Sequence, residues 1–202
     1  MKTGALKALC LLLVAGAPAM AADFSDPTWP CIQRKVGQLS PGLMWPATIE
    51  KPTLSTDVEA AVEDLVGYLT LRRLALDETE PHLAAFTASH GTDPALLGHV
   101  FEQSFTRLNT LRTRLITGIE EYSLGQIALS ERIDSARLKM DAEMAKENPD
   151  FDLVDELEEQ IAWDERVYTD RRQSLTYVCE TPVLLEKRLY GIAQMLQNAA
   201  QE

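Results

Sequence analysis

From residue 94 onward, apolar residues return in alternating steps of four and three. One seven-residue series reads Phe101, Leu108, Leu115, Tyr122, Leu129 and Ala136. A second reads Phe105, Arg112, Ile119, Gln126, Ile133 and Met140. Two interleaved series of this kind put one stripe on a helix and define a coiled-coil seam. Asp93 and Pro94 supply an N-cap and a first helical position. The spacing therefore predicts a helix from 94 to about 145, roughly 75 Å long at 1.5 Å per residue.

Asn148-Pro149-Asp150 breaks that helix, and a second seam follows. It reads Val154, Ile161, Tyr168, Leu175, Leu189 and Leu196, with Leu157, Asp164, Arg171, Val178, Leu185 and Ile192 as companions. Thr181-Pro182 falls near its middle. Proline removes a backbone donor and crowds the preceding turn, which predicts two helices here, about 150–178 and 182–199, with Thr181 capping the second. A short loop between long helices favours an antiparallel hairpin, in which facing residue numbers sum to about 298 when counted outward from the turn. Cys179 then lies near Ile119, and Gln126 near Arg171. These two polar seam residues can specify register at a cost in stability.

Upstream, Thr56 and Glu59 fit a capping box. Val58, Ala61, Val62, Leu65, Leu69 and Leu76 predict a helix ending near Asp77. A short helix over about 80–89 has Pro81 near its start and Gly91 past its end. Residues 22–53 carry Pro27, Pro30, Pro41, Pro46 and Pro52, which interrupt any long helix. Trp29, Ile32, Val36, Leu39, Met44 and Trp45 make this arm too apolar for a free linker, so it is expected to lie across the folded body. The expected fold is all-α: a helical bundle with a long antiparallel coiled-coil hairpin and an extended Pro-rich N-terminal arm. Its expected divisions are 1–21, 22–53 and 54–202.

The first division reads as a cleaved signal peptide. Lys2 and Lys7 precede the apolar stretch Ala8 to Ala17, and Ala19-Met20-Ala21 fits the small-x-small cleavage pattern. The expected location is periplasmic or secreted. No later stretch approaches the roughly twenty apolar residues of a membrane-spanning helix, so no stable membrane insertion is expected after cleavage. Cleavage removes Cys10 and leaves Cys31 and Cys179, an even pair in an oxidising compartment. A disulfide between them would close a loop of roughly 150 residues, worth ~4–5 kcal/mol in the chain-entropy model. Its structural reading is a clip on the arm; a redox thiol is the alternative, without a Cys-x-x-Cys motif to support it.

The chain has 19 Lys and Arg against 31 Asp and Glu, a net charge of −12. Losing Lys2 and Lys7 leaves the mature chain at about −14, a surface that repels nucleic acid and anionic lipid. The acids concentrate at Asp150, Asp152, Asp155, Glu156, Glu158, Glu159, Asp164 and Glu165. The first of these suit a helix N-terminus, and Lys139 and Lys146 could neutralise part of the group. A solvated face is the simple reading; a docking site for a basic partner or a weak cation site is the sharper one. Trp163, Val167, Ile116, Leu124, Ile127 and Leu138 form a second apolar surface off the seam, which the arm or first helix is expected to cover unless a homodimer or another partner does.

His82, His90 and His99 are widely spaced and lack a diagnostic metal-ligand offset, although Met140 and Met144 share a helical face. The sequence has no Cys-x-x-Cys-His, Glu-x-x-His, His-Glu-x-x-His, Gly-x-Ser-x-Gly or P-loop motif. No catalytic residue, cofactor or metal site is therefore assigned. The expected function is that of an exported, non-enzymatic helical protein acting through protein–protein contacts with a partner or a second copy. Asp155, Glu156, Glu158, Glu159 and Trp163 are the candidate contact residues. An envelope stress chaperone or metal-sensing hairpin is the first alternative, and an enzyme without a recognisable motif the second.

Overall fold

The computed structural model describes residues 26–201. The expected signal peptide, with Cys10, and the first residues of the arm lie outside the described residues. Four helices follow the arm: α1 (Thr56–Thr70), α2 (Glu80–His90), α3 (Pro94–Met144) and α4 (Phe151–Ala199). Short 3-10 turns occupy Pro41–Leu43 and Asp77–Thr79, and no strand occurs among the described residues. The fold is all-α, with α3 and α4 packed as an antiparallel hairpin.

The cap expected at Asp93 is in place, and Asp150 caps α4 in the same way. Asp93 accepts a hydrogen bond from the Ala95 N–H, and Asp150 one from the Leu153 N–H. Each satisfies a backbone donor that the first helical turn leaves free. Gly91 closes α2 at φ +86°, a conformation that disfavours a side chain. The α1 capping box does not form. Ser55 is its N-cap, Thr56 is already helical, and no side chain caps the turn.

The main core gathers Val62, Val66 and Leu69 of α1, Phe86 of α2, the first turns of α3 and the last turns of α4. Leu97, Phe101, Leu108, Leu189, Ile192 and Leu196 are fully or almost fully buried there. Full burial of side chains of this size stabilises by about 1.5–3 kcal/mol each relative to exposure. Farther along the hairpin, Leu129, Ile133 and Ala136 meet Leu157 and Ile161 in a smaller cluster. Between the two, Ile119 packs against the disulfide that joins Cys31 to Cys179. The bundle therefore occupies one end, and the hairpin alone continues beyond it.

Two expected helix boundaries move. Helix α4 runs unbroken through Pro182. Pro182 falls seven residues after Leu175 and seven before Leu189, so its ring takes a seam position and is buried. The seam keeps its phase, and packing on both sides outweighs the missing N–H. Thr181 is not a cap: its hydroxyl donates to the Tyr177 carbonyl of the preceding turn. Helix α1, by contrast, stops at Thr70, short of the expected end near Asp77. Arg188 of α4 donates from Nε to the Leu69 carbonyl at 2.6 Å and from Nη1 to the Leu74 carbonyl at 2.8 Å. These bonds satisfy carbonyls of the last turn and of the following loop. Burial pulls the Arg188 pKa down.

Candidate functional site: the hairpin end and the groove beneath the arm

The turn between α3 and α4 is organised by Glu143, a residue that sequence periodicity did not single out. Its carboxylate accepts from Lys146 Nζ at 2.6 Å and from the Asp150 N–H at 3.1 Å. These bonds, the Lys146 ammonium first, hold its pKa below the ordinary value. Lys146 is thus engaged with Glu143 instead of the acidic face. Asp155, Glu156, Glu158 and Glu159 are all exposed and make no ion pair among the described residues.

The last two acids of the group, Asp164 and Glu165, behave differently. Glu165 pairs with Arg137 across the hairpin. Asp164 is 2% exposed and grips Arg132 of α3 with both carboxylate oxygens, Oδ2 to Nε at 2.7 Å. The hydrogen bonds to Asp164 raise the Arg132 pKa. Forked pairing fixes relative geometry more closely than a point-charge contact. This pair therefore pins the hairpin register, the role the sequence had suggested for Gln126 and Arg171. Gln126 is buried, but its amide donates to the Tyr168 carbonyl at 3.1 Å. The Arg171 side chain is exposed, and only its carbonyl participates, accepting from the Tyr122 hydroxyl at 3.0 Å. Asp164 sits in the periodic series Leu157, Asp164, Arg171, so its seam position was a signal; its partner on an exposed stem was not.

The second apolar surface is divided. Ile116 is buried and Val167 packs against the outer hairpin cluster. The arm and α1 leave Trp163 at 64% exposure and Leu138 at 71%, and Leu124 and Ile127 are exposed too. The expectation that the arm or first helix covers this face fails at these four positions. Among the described residues, the arm meets the hairpin around Cys179, Ser123 and the groove at Gln126 and Ile127, whereas Trp163 lies farther out. Phe151, at 62%, and Met144 add to the apolar surface near the turn. The distal hairpin thus combines exposed large apolar side chains with a run of unpaired carboxylates.

A second feature lies where the arm crosses the hairpin. A groove of about 580 Å³ runs beside the disulfide and is lined by Cys31, Cys179, Gln33, Gln126, Ile127 and Leu175, among others. Gln126 Oε1 and Gln33 Oε1 are buried without a hydrogen-bond partner. The Tyr168 carbonyl requires the Gln126 NH₂ to face it, which leaves the oxygen as the free acceptor. Farther toward the bundle, Arg112 is 3% exposed and donates from Nη2 to the Val36 carbonyl at 2.6 Å, with Glu186 at 3.7 Å. Its pKa is lowered by burial, partly opposed by the Glu186 charge.

The three histidines are engaged separately. His82 stacks on Tyr68, His90 tilts against Phe86, and His99 contacts Gln103 and Glu102. No set of three metal-ligating side chains converges among the described residues, and no described helix is long and apolar enough to cross a membrane. Compared with protein-family models, with curated proteins and with solved structures, the chain matches none.

Proposed function

We propose that this chain is an exported, non-enzymatic helical protein that works through protein–protein contacts made by the distal hairpin. An assembly factor, adaptor or accessory subunit of an envelope system fits this description. The observation that carries the reading is the exposure of Trp163, Leu138, Phe151 and Met144 next to unpaired Asp155, Glu156, Glu158 and Glu159. Large exposed aromatic and aliphatic side chains supply the buried centre of an interface, and surrounding charge steers the encounter. The acidic sign favours a partner with a basic rim, whose binding weakens as salt rises. The N-terminal signal pattern and the cysteine pair support export.

A photoreactive residue placed at position 163 in the native envelope tests the proposal. The expected result is one dominant crosslinked protein at fixed stoichiometry. Substituting both Phe151→Ser and Leu138→Ser should suppress the crosslink, whereas Ile32→Ser, on the arm, should not. Crosslinks spread over many unrelated proteins would point to a chaperone instead, and the absence of any protein crosslink would overturn the proposal.

A further inference from the structure

We infer that the Cys31–Cys179 disulfide is a redox latch: its reduction frees residues 26–38 of the arm from the hairpin while the helical core stays folded. The inference is independent of what binds at the distal hairpin.

The arm is attached in two unlike ways. From Leu39 onward it is rooted in the main core through Leu39, Met44, Trp45, Ile49 and Leu54, with Trp45 stacked on Phe101. Upstream, Trp29 packs beside the disulfide, and three polar contacts reach the helices. Ser123 donates to the Pro27 carbonyl at 2.7 Å, Arg112 to the Val36 carbonyl at 2.6 Å, and Lys35 pairs with Glu120 at 2.7 Å. Ile32 and Val36 are exposed and add little. The other bonds of this stretch are internal: Lys35 to Asp26, Thr28 to Asp26, and the Trp29 indole to the Gln33 carbonyl. It can therefore leave the surface as a unit.

The bond from Arg112 is an incomplete anchor: Nη2 meets the Val36 carbonyl, whereas Nε and Nη1 are buried without partners. The bridge lies outside the main apolar core: the two cysteines and Ile119 form a separate cluster, so reduction removes the constraint on the unfolded chain without removing core packing. Without the covalent bond, the upstream half of the arm keeps only its few polar contacts and Trp29.

Both cysteines line the groove beside the disulfide, and although they are only 3% and 6% exposed, the groove is the side from which a reductant would reach them. A dithiol is the required co-reactant. Its thiolate attacks one cysteine sulfur, the S–S bond breaks, and the electron pair leaves on the other sulfur, which takes up a proton. The reagent's second thiol then displaces the remaining cysteine from the mixed disulfide. Two electrons and two protons pass to the cysteines, and the dithiol ends as a disulfide.

Limited trypsin digestion at Arg34 and Lys35 tests the latch on the exported chain, oxidised and after native-condition reduction with dithiothreitol and its removal, with amide hydrogen exchange following the core. Cleavage in the arm should quicken by at least about tenfold on reduction, as expected for a segment released to local opening, while the amides around Val62, Leu97 and Leu189 stay protected, weakened by no more than the bridge's share of global stability. The Cys31→Ser, Cys179→Ser double variant should match the reduced protein, and reoxidation of the wild type should restore resistance to cleavage. Unchanged cleavage in the arm after complete reduction overturns the inference. So does complete loss of core protection, which would make the bridge a global staple. Thiols that appear only in denaturant would overturn it as well.

Discussion

Replacing Pro182 with alanine puts the balance between local propensity and packing to a direct test. Pro182 lies in the interior of α4, where it offers no N–H to the Val178 carbonyl four residues back. Proline in a helix interior costs about 3 kcal/mol relative to alanine. The ring is buried at a seam position, so its replacement also forfeits packing. Two ring methylenes disappear, a loss of about 1.6 kcal/mol at ~0.8 kcal/mol per buried CH₂. The difference leaves Pro182→Ala more stable by about 1.4 kcal/mol, which for a domain of this size raises Tm by about 3–6 °C. Thermal unfolding followed by far-ultraviolet circular dichroism, with the disulfide intact, measures it. Thr181→Ala is the control, because its exposed hydroxyl only bonds back to Tyr177; it should shift stability by less than about 0.5 kcal/mol. A Pro182→Ala midpoint that falls, or moves by less than about 1 °C, refutes the reasoning and assigns the ring a packing role larger than its volume.

Other substitutions probe separate parts of the fold. Arg188→Met removes the donors to the Leu69 and Leu74 carbonyls and should cost about 2–4 kcal/mol in urea unfolding; a loss under about 0.5 kcal/mol would show that water replaces them freely. A Cβ added at Gly118 or Gly125, both within α3, meets open space, so each change to alanine should stabilise by about 0.8–1 kcal/mol in the same assay. In the arm, Asp26 is held at a pKa of about 2, first by its bond from Lys35 and then by those from Thr28. The folded value lies below the ordinary 3.8, so the contribution of Asp26 to the internal structure of the arm is complete above that value and is lost as pH falls through about 2. Carboxyl carbon NMR should find that low midpoint, and Lys35→Met should move it upward; a midpoint insensitive to Lys35 contradicts the assignment of its cause.

The parts of this architecture that follow from repetition were legible in the chain. A stripe repeating every seven residues has one stable outcome, burial against a similar stripe. Thus Phe101, Leu108, Ile119, Leu129 and Ile133 could be placed in the seam before any coordinates. Asp93 announced its helix because capping is settled within a few residues. The hairpin count likewise placed Cys179 beside Ile119.

What the chain left undecided depends on partners far away in sequence. The end of α1 is set by Arg188, more than a hundred residues later, and no local signal encodes that bond. Pro182 reads as a break locally, yet the seam it occupies holds the helix together. The Asp164 carboxylate found Arg132 because side-chain reach across a packed interface, not residue number alone, selects polar pairs. The distal site divides in the same way. Its acidic run and Trp163 were visible in the sequence, but their freedom from salt bridges and from the arm required tertiary structure. Sequence periodicity determined the seam and the antiparallel pairing of the hairpin because burial repeats along it. Only the three-dimensional packing decided where helices end or continue, and which apolar side chains stay exposed at the far end of the hairpin.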